Sequence, residues 1–336
     1  MIGRGGVFAE LRSQMLSVIP EGINAAYRTE GTLGDWIANG AYVVTSCTRS
    51  SLLVEGSHVD FASMLLIEVE NLMNHCFEHI QELLCFVGDV RPRSDAWAGV
   101  TAYYLGFFSA SALLRLLGVP VTFLNRQQLM ALRQLAGTSQ QPSQGAFEIS
   151  LRGAVSATHR EISFTRSDKI HEATWKSILQ TLDTLNRDPG ITKQPDEADF
   201  YDSLCTTAFC TPGVGFDWPS VARNRANYRP GYAYKLMRNN LRVLMSLQSW
   251  RNIESADVFA AVRAAHRRCS ASASEFPNHM GMMITVGISL FLLLRALYAE
   301  LLDRRKTDKR WERQRKHYRE GMVMSGDEFS AVAATF

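Results

Sequence analysis

One segment of this 336-residue chain constrains its fold more than any other: Asp95 to Gly118, DAWAGVTAYYLGFFSASALLRLLG, is apolar nearly all round and is followed by Pro120. A helix without a polar face has to be enclosed by other elements, so the segment predicts a central core helix that ends at Gly118. Its Ala, Gly and Ser residues let neighbouring helices come close. Just before it, Asp60 to Val87 repeats Phe61, Leu65, Val69, Leu72, Met73, Phe77, Ile80 and Leu84 at helical spacing and assigns Glu68, Glu78 and Glu82 to solvent. With a turn over Gly88 to Arg93 and a Ser94-Asp95 cap, the two segments make an antiparallel helical pair.

The pattern divides the chain into three stretches. Residues 1–56 read as a mixed N-terminal region with a helix near Phe8 to Val18 and a short strand at Ala41 to Thr45. Residues 57–305 read as a helical domain, interrupted at about 120–168 by an insertion. There the polar run Gln134 to Gln144 is a loop, and Ala146 to Leu151 and Glu161 to Thr165 alternate as strands of a small β-hairpin. Helical spacing returns at Lys169 to Leu185, stops at Asp188-Pro189-Gly190 and resumes over Pro195 to Phe209. Further helices are expected at Ala233 to Trp250, Ser255 to Ser270 and His279 to Arg305, before a basic tail over 306–336. The expected class is therefore mainly α, a bundle with a small β-hairpin insertion and additional C-terminal helices.

Hydrophobic residues make up 46% and charged residues 21%, which fits a folded chain rather than a disordered one. A formal charge of +3 permits contact with nucleic acid without requiring it. The six cysteines form no CxxC pair, so neither a zinc ribbon nor a disulfide framework is indicated, and a reducing cytosol fits best. The N-terminal MIGRGGVFAELRSQML lacks the apolar core and cleavage site of a secretory signal, which makes a cytoplasmic location the expectation. Met280 to Leu294 is apolar for 15 residues and stops at Arg295. A membrane span needs roughly 20, so a buried core helix is expected there and no span.

Chemistry concentrates in Trp218 to Tyr234, WPSVARNRANYRPGYAY. Arg223 sets a guanidinium beside the carboxamide of Asn224, and Asn227, Tyr228 and Arg229 follow within about one helical turn, so several donors can converge on one anion. The same residues, followed by Pro230-Gly231, also make an ordinary helix end. Both readings stay open at this point. The tail RRKTDKRWERQRKHYR carries Arg310, Arg313, Arg315 and Lys316, with Trp311 and Tyr318 for stacking, and reads either as a track for a phosphate backbone or as a solvated helix end. His75 and His79 stand one turn apart in HCFEH without a third ligand or an HExxH order, so they read as structural histidines rather than a metal site. Cys205 and Cys210 read as packing residues. Dinucleotide, Walker, GxSxG and kinase signatures are absent, and no cofactor is expected.

The run Ala102-Tyr103-Tyr104-Leu105-Gly106-Phe107-Phe108, continuing to Ala112-Leu113-Leu114, resembles the AYYxxFxxxxALL helix of HEPN domains. Arg223-Asn224 is similar to the first half of that family's Arg-Asn and histidine motif. HEPN domains are helical bundles, and many are metal-independent ribonucleases of toxin–antitoxin, CRISPR and antiviral systems whose arginine and histidine meet across a dimer. The resemblance implies a bacterial or phage-related defence protein that binds RNA, as a homodimer or as a subunit of a larger complex. It implies that Arg223 stabilises charge on the phosphate, Asn224 orients it, and Asn227 and Tyr228 position the 2′-hydroxyl or leaving oxygen. Arg225, Arg229, Arg310, Arg313, Arg315 and Lys316 are the expected RNA-binding residues. Where the family has histidine, this chain has Tyr228, Arg229 and Pro230, and a tyrosine with an ordinary pKa near 10 is a poor base at neutral pH. A catalytically inactive scaffold is the alternative.

Overall fold

The two halves of the expected helical pair are α3, His58–Gly88, and α4, Asp95–Leu116, and α4 lies at the centre of the molecule. In the computed structural model the described residues are 6–20, 32–88, 95–137, 143–156, 158–167, 169–193, 195–209, 217–228, 276–304, 310 and 313. Among them 68% are helical, which makes the protein mainly α. Around α4 pack α3, α6 (Ile170–Arg187), α8 (Trp218–Tyr228) and α9 (Phe276–Asp303). The other helices are α1 (Gly6–Val18), α2 (Leu33–Asn39), α5 (Arg126–Ala136) and α7 (Pro195–Phe209). The expected helices at Ala233 to Trp250 and Ser255 to Ser270, the Ser94 cap and its turn, and most of the tail lie outside the described residues.

Small residues set how closely α4 is approached, as its composition requires. A Cβ added to Gly287 of α9 would sit 2.6 Å from the Ala102 carbonyl oxygen, and one added to Gly106 would sit 3.0 Å from Gly287 Cα and 2.9 Å from the Trp175 ring. Backbone therefore meets backbone at this crossing. The expected core segment Met280 to Leu294 is the middle of α9, and the apolar stretch is longer than its sequence boundary at Arg295 suggests. Two helices, Ala96–Leu116 and Met282–Leu301, are long and apolar enough to cross a membrane, and 78% of each apolar window is buried inside the fold.

The charged residues on α3 correct one expectation. Glu68 does not face solvent: its carboxylate accepts from Arg115 Nε on α4 and, at 2.8 Å, from the Leu33 N–H that opens α2. One buried anion thus ties three helices together, with Arg115 also donating to the Ser111 carbonyl at 2.9 Å. Two positions along, the buried Glu70 accepts both ways from the Tyr298 hydroxyl of α9, at 2.8 and 2.9 Å. On α7, the buried Glu197 accepts the Phe8 N–H at 2.9 Å and so anchors the start of α1, where a negative charge complements the helix dipole.

The expected β-hairpin exists as β4 (Gly145–Ala154) and β5 (His159–Arg166), but it is the middle of a larger sheet. The five strands run β1 (Tyr42–Cys47), β2 (Ser51–Ser57), β5, β4, β3 (Val121–Leu124), every pair antiparallel. Ile162 faces Val54 on one side and Leu151 on the other, and Phe164 faces Leu52 and Ile149, so the apolar positions of three strands fall in register. Ser57 ends β2 and His58 opens α3. The stretch after β3 is also helical: Asn125 and Gln128 form a reciprocal capping box that starts α5, and Gly137, at φ 59°, ends it.

Replacing Gly287 with Ala forces α4 and α9 apart because the new methyl meets a backbone carbonyl. The expected cost is about 1–3 kcal/mol, read as a lowered midpoint in urea or thermal unfolding, whereas Gly137→Ala at the exposed end of α5 is expected to cost less.

Candidate functional site

Helix α8 opens with Trp218-Pro219-Ser220, and proline in a first turn loses no helical hydrogen bond. Trp218, Pro219, Ser220, Ala222 and Ala226 are buried, so this face packs inward. Asn224, Asn227 and Tyr228 are exposed, the last at 75%. Arg223 falls at the border of the buried face, and Arg225 is half-buried. The described polar residues of the motif therefore do not converge. Helical periodicity sends Asn224 and Tyr228 outward and turns Arg223 toward α4.

Arg223 ends on aromatic rings. Its guanidinium carbon lies 5.0 Å from the centre of Tyr103 and 5.6 Å from that of Tyr104, both within cation–π range. Its Nε is buried with no hydrogen-bond partner among the described residues. Tyr103 is fully buried, and its hydroxyl lies 2.8 Å from His171 Nδ1 on α6 and 3.1 Å from Ser220 Oγ on α8. The His171 ring packs on Phe107, 4.3 Å between centres. One tyrosine of α4 thus gathers an arginine, a histidine and a serine from two other helices.

The electrostatics of the group follow from burial and from Arg223. Burial pushes the Tyr103 hydroxyl above its ordinary pKa, against opposing pulls from Ser220, Trp175 and Arg223. Burial, and then the positive charge of Arg223, hold His171 below the usual histidine value. His171 is therefore neutral at neutral pH, and its Nδ1 is the ring nitrogen that engages Tyr103.

Sequence reading did not single out His171. It stands in the first turn of an amphipathic helix, where a histidine is commonplace, and only the packing of α6 on α4 brings it to Tyr103. His75 stacks on Phe108 and His79 on both Tyr104 and Phe108, with His75 Nδ1 3.2 Å from Glu78. Among the described residues no group of three His, Cys, Asp or Glu side chains is placed to hold a metal ion. Cys205 is buried, and burial pushes its thiol up to about 12, so it packs rather than reacts. Arg310 and Arg313 are exposed, while Arg229, Arg315, Lys316 and Cys210 lie outside the described residues. A separate cleft of about 510 Å³ opens between α1, α6 and the sheet, lined by Gln14, Glu148, Ser150, Ser177, Gln180 and Thr181, and holds no member of the Arg223 group.

In comparisons with known proteins, no family model, no curated protein and no solved structure matches the chain.

A titration of the histidine ring signals by NMR is expected to place the His171 midpoint below the ordinary 6.5, and Arg223→Ala is expected to move it upward. The linked stability has a defined sign. Because the unfolded histidine binds its proton more readily, this contribution is full above about pH 6.5 and declines as pH falls below it.

Proposed function

We propose that the protein engages RNA through the junction of α8, α4 and α6, and cleaves it there by side-chain chemistry that requires no metal. The observation that carries this reading is Tyr103, whose ring supports Arg223 and whose hydroxyl meets His171. An arginine whose guanidinium is held on two aromatic rings is a fixed positive charge for an anion such as a phosphate. A neutral histidine beside it supplies the general base that the residues following Arg223 lack.

In this mechanism His171 Nδ1–H donates to the Tyr103 hydroxyl, which Ser220 also holds, and the lone pair on His171 Nε2 takes the 2′-hydroxyl proton. The 2′-oxygen attacks the adjacent phosphorus, the bond to the 5′-oxygen breaks, and that oxygen takes a proton from solvent, leaving a 2′,3′-cyclic phosphate. Arg223 stabilises the charge that develops on the phosphoryl oxygens. Asn224, Asn227 and Tyr228, on the outward side of α8, contact the flanking strand rather than the reacting atoms. The protein is on this reading a HEPN-like defence or toxin-type protein of the cytoplasm, working as a homodimer or in a larger complex. Its imidazole comes from α6 instead of the residues after Arg223.

The alternative, an inactive HEPN-like scaffold, draws on the same contact. A guanidinium packed on two tyrosines also braces a helix junction. Incubating the full chain with single-stranded and structured RNA separates the two. Cleavage that falls by about a hundredfold or more in both Arg223→Ala and His171→Ala, with unfolding midpoints little changed, is the expected result. Intact RNA with the wild-type protein, together with a lowered midpoint for Arg223→Ala, would establish the scaffold instead.

A further inference from the structure

We infer that the cleft between α1, α6 and the sheet is a binding site for a small, neutral, polyhydroxylated molecule of the sugar class. It is separate from the Arg223 group, no member of which lines it. Along α6, Ser177, Gln180, Thr181 and Thr184 stand at i, i+3, i+4 and i+7, so they form one stripe, and all four line the cleft. The same helix buries Trp175, Ile178, Leu179 and Leu182 in the core. A helix face turned merely to water carries charge, and on α6 the charged residues Glu172, Lys176, Asp183 and Arg187 fall on a third stripe, away from the cleft. The sheet answers with a polar face of its own. Glu148 pairs with Thr165 across β4 and β5, which puts both on the side where Ser150 also stands, while the paired Ile149 and Phe164 fill the core from the other side. Two polar surfaces thus face each other across about 510 Å³ instead of closing on apolar side chains, a volume within the range of about 300–1,000 Å³ that small-molecule sites occupy.

The lining selects the class of ligand. Among the described residues it contains no Lys, Arg or His to hold a phosphate or carboxylate, and no aromatic ring on which a base could stack. What it offers is hydroxyls and carboxamides, groups that both donate and accept, and a ligand matched to them does the same at several points, as neighbouring hydroxyls do. Thr181 Oγ1 donates to the Ser177 carbonyl at 2.8 Å, which leaves its lone pairs to accept from a ligand. Glu148 Oε1 accepts from Ser167 Oγ at 2.8 Å, and its second oxygen supplies a charged acceptor for ligand O–H groups. One carboxylate beside seven uncharged polar residues suits a neutral hydroxylated molecule better than a cation. Val119 and Leu185 add an apolar patch for the C–H face of such a molecule.

The test is saturation-transfer NMR of the full chain with ribose, glucose, galactose, mannose, sucrose and trehalose, beside glucosamine as a cation and glucose 6-phosphate as an anion. At least one neutral sugar is expected to bind saturably, and Gln180→Ala and Glu148→Gln are each expected to weaken it by about threefold to tenfold, the loss of one hydrogen bond. Gln180 is exposed and Glu148→Gln keeps the shape of the side chain, so unchanged unfolding midpoints are expected in both. Saturable binding of none of the neutral sugars, or binding indifferent to both substitutions, would overturn the inference. Glucosamine binding more tightly than glucose would make Glu148 an amine subsite, and preference for glucose 6-phosphate would mean an anion site; either result overturns it too. RNA cleavage at Arg223 stands or falls independently of all these outcomes.

Discussion

The contact on which the rest of this structure depends is the backbone crossing of α4 and α9 at Gly106 and Gly287. Gly106 also leaves room for the edge of the Trp175 ring, so the same missing side chain lets α6 lie close against α4. His171 stands one turn before Trp175 on α6, and Tyr103 stands one turn before Gly106 on α4. The distance between Tyr103 and His171 is thus a consequence of glycine packing one turn away. A methyl group at Gly106 would shift the helix that carries the histidine, and a hydrogen bond tolerates only a few tenths of an ångström of such movement.

Around that crossing, buried charge is handled by sharing. Glu68 serves an N–H of α2 and the guanidinium of Arg115, and Glu70 is satisfied by a tyrosine from α9. Each carboxylate joins elements distant in sequence, and each would be costly if its partner were lost, since a stranded buried ion is worth several kcal/mol of destabilisation. Arg223 differs. Its guanidinium rests on two rings, and its buried Nε has no hydrogen-bond partner among the described residues.

Much of the helical framework was legible because its signal is local. The spacing of Phe61 through Phe77, the apolar run of α4 and the Asp188-Pro189-Gly190 stop each reflect one element's own periodicity. The sheet was only partly legible: FEISL and EISFT alternate clearly, whereas β3 has only four residues and β2 gains its meaning from pairing with β5 far along the chain. Glu68 was misplaced for a related reason, since its partner lies 47 residues away. The site divided in the same way. Arg223 and Tyr103 stood out by motif, but His171 carries no mark in the sequence, because its place depends on how α6 packs on α4.

The pairing of β2 with β5 also has a consequence in time. β2 ends at Ser57 and β5 at Arg166, with α3 and α4 between them, so one edge of β2 waits for 109 further residues, from 57 to 166, to be synthesised. At ordinary translation rates that interval is roughly 5 to 20 s, long against the microseconds in which the β1–β2 hairpin forms. The nascent chain therefore carries an open, apolar strand edge for most of the synthesis of its own core, and the ribosome-bound hairpin is the stage of this protein's life most exposed to wrong partners.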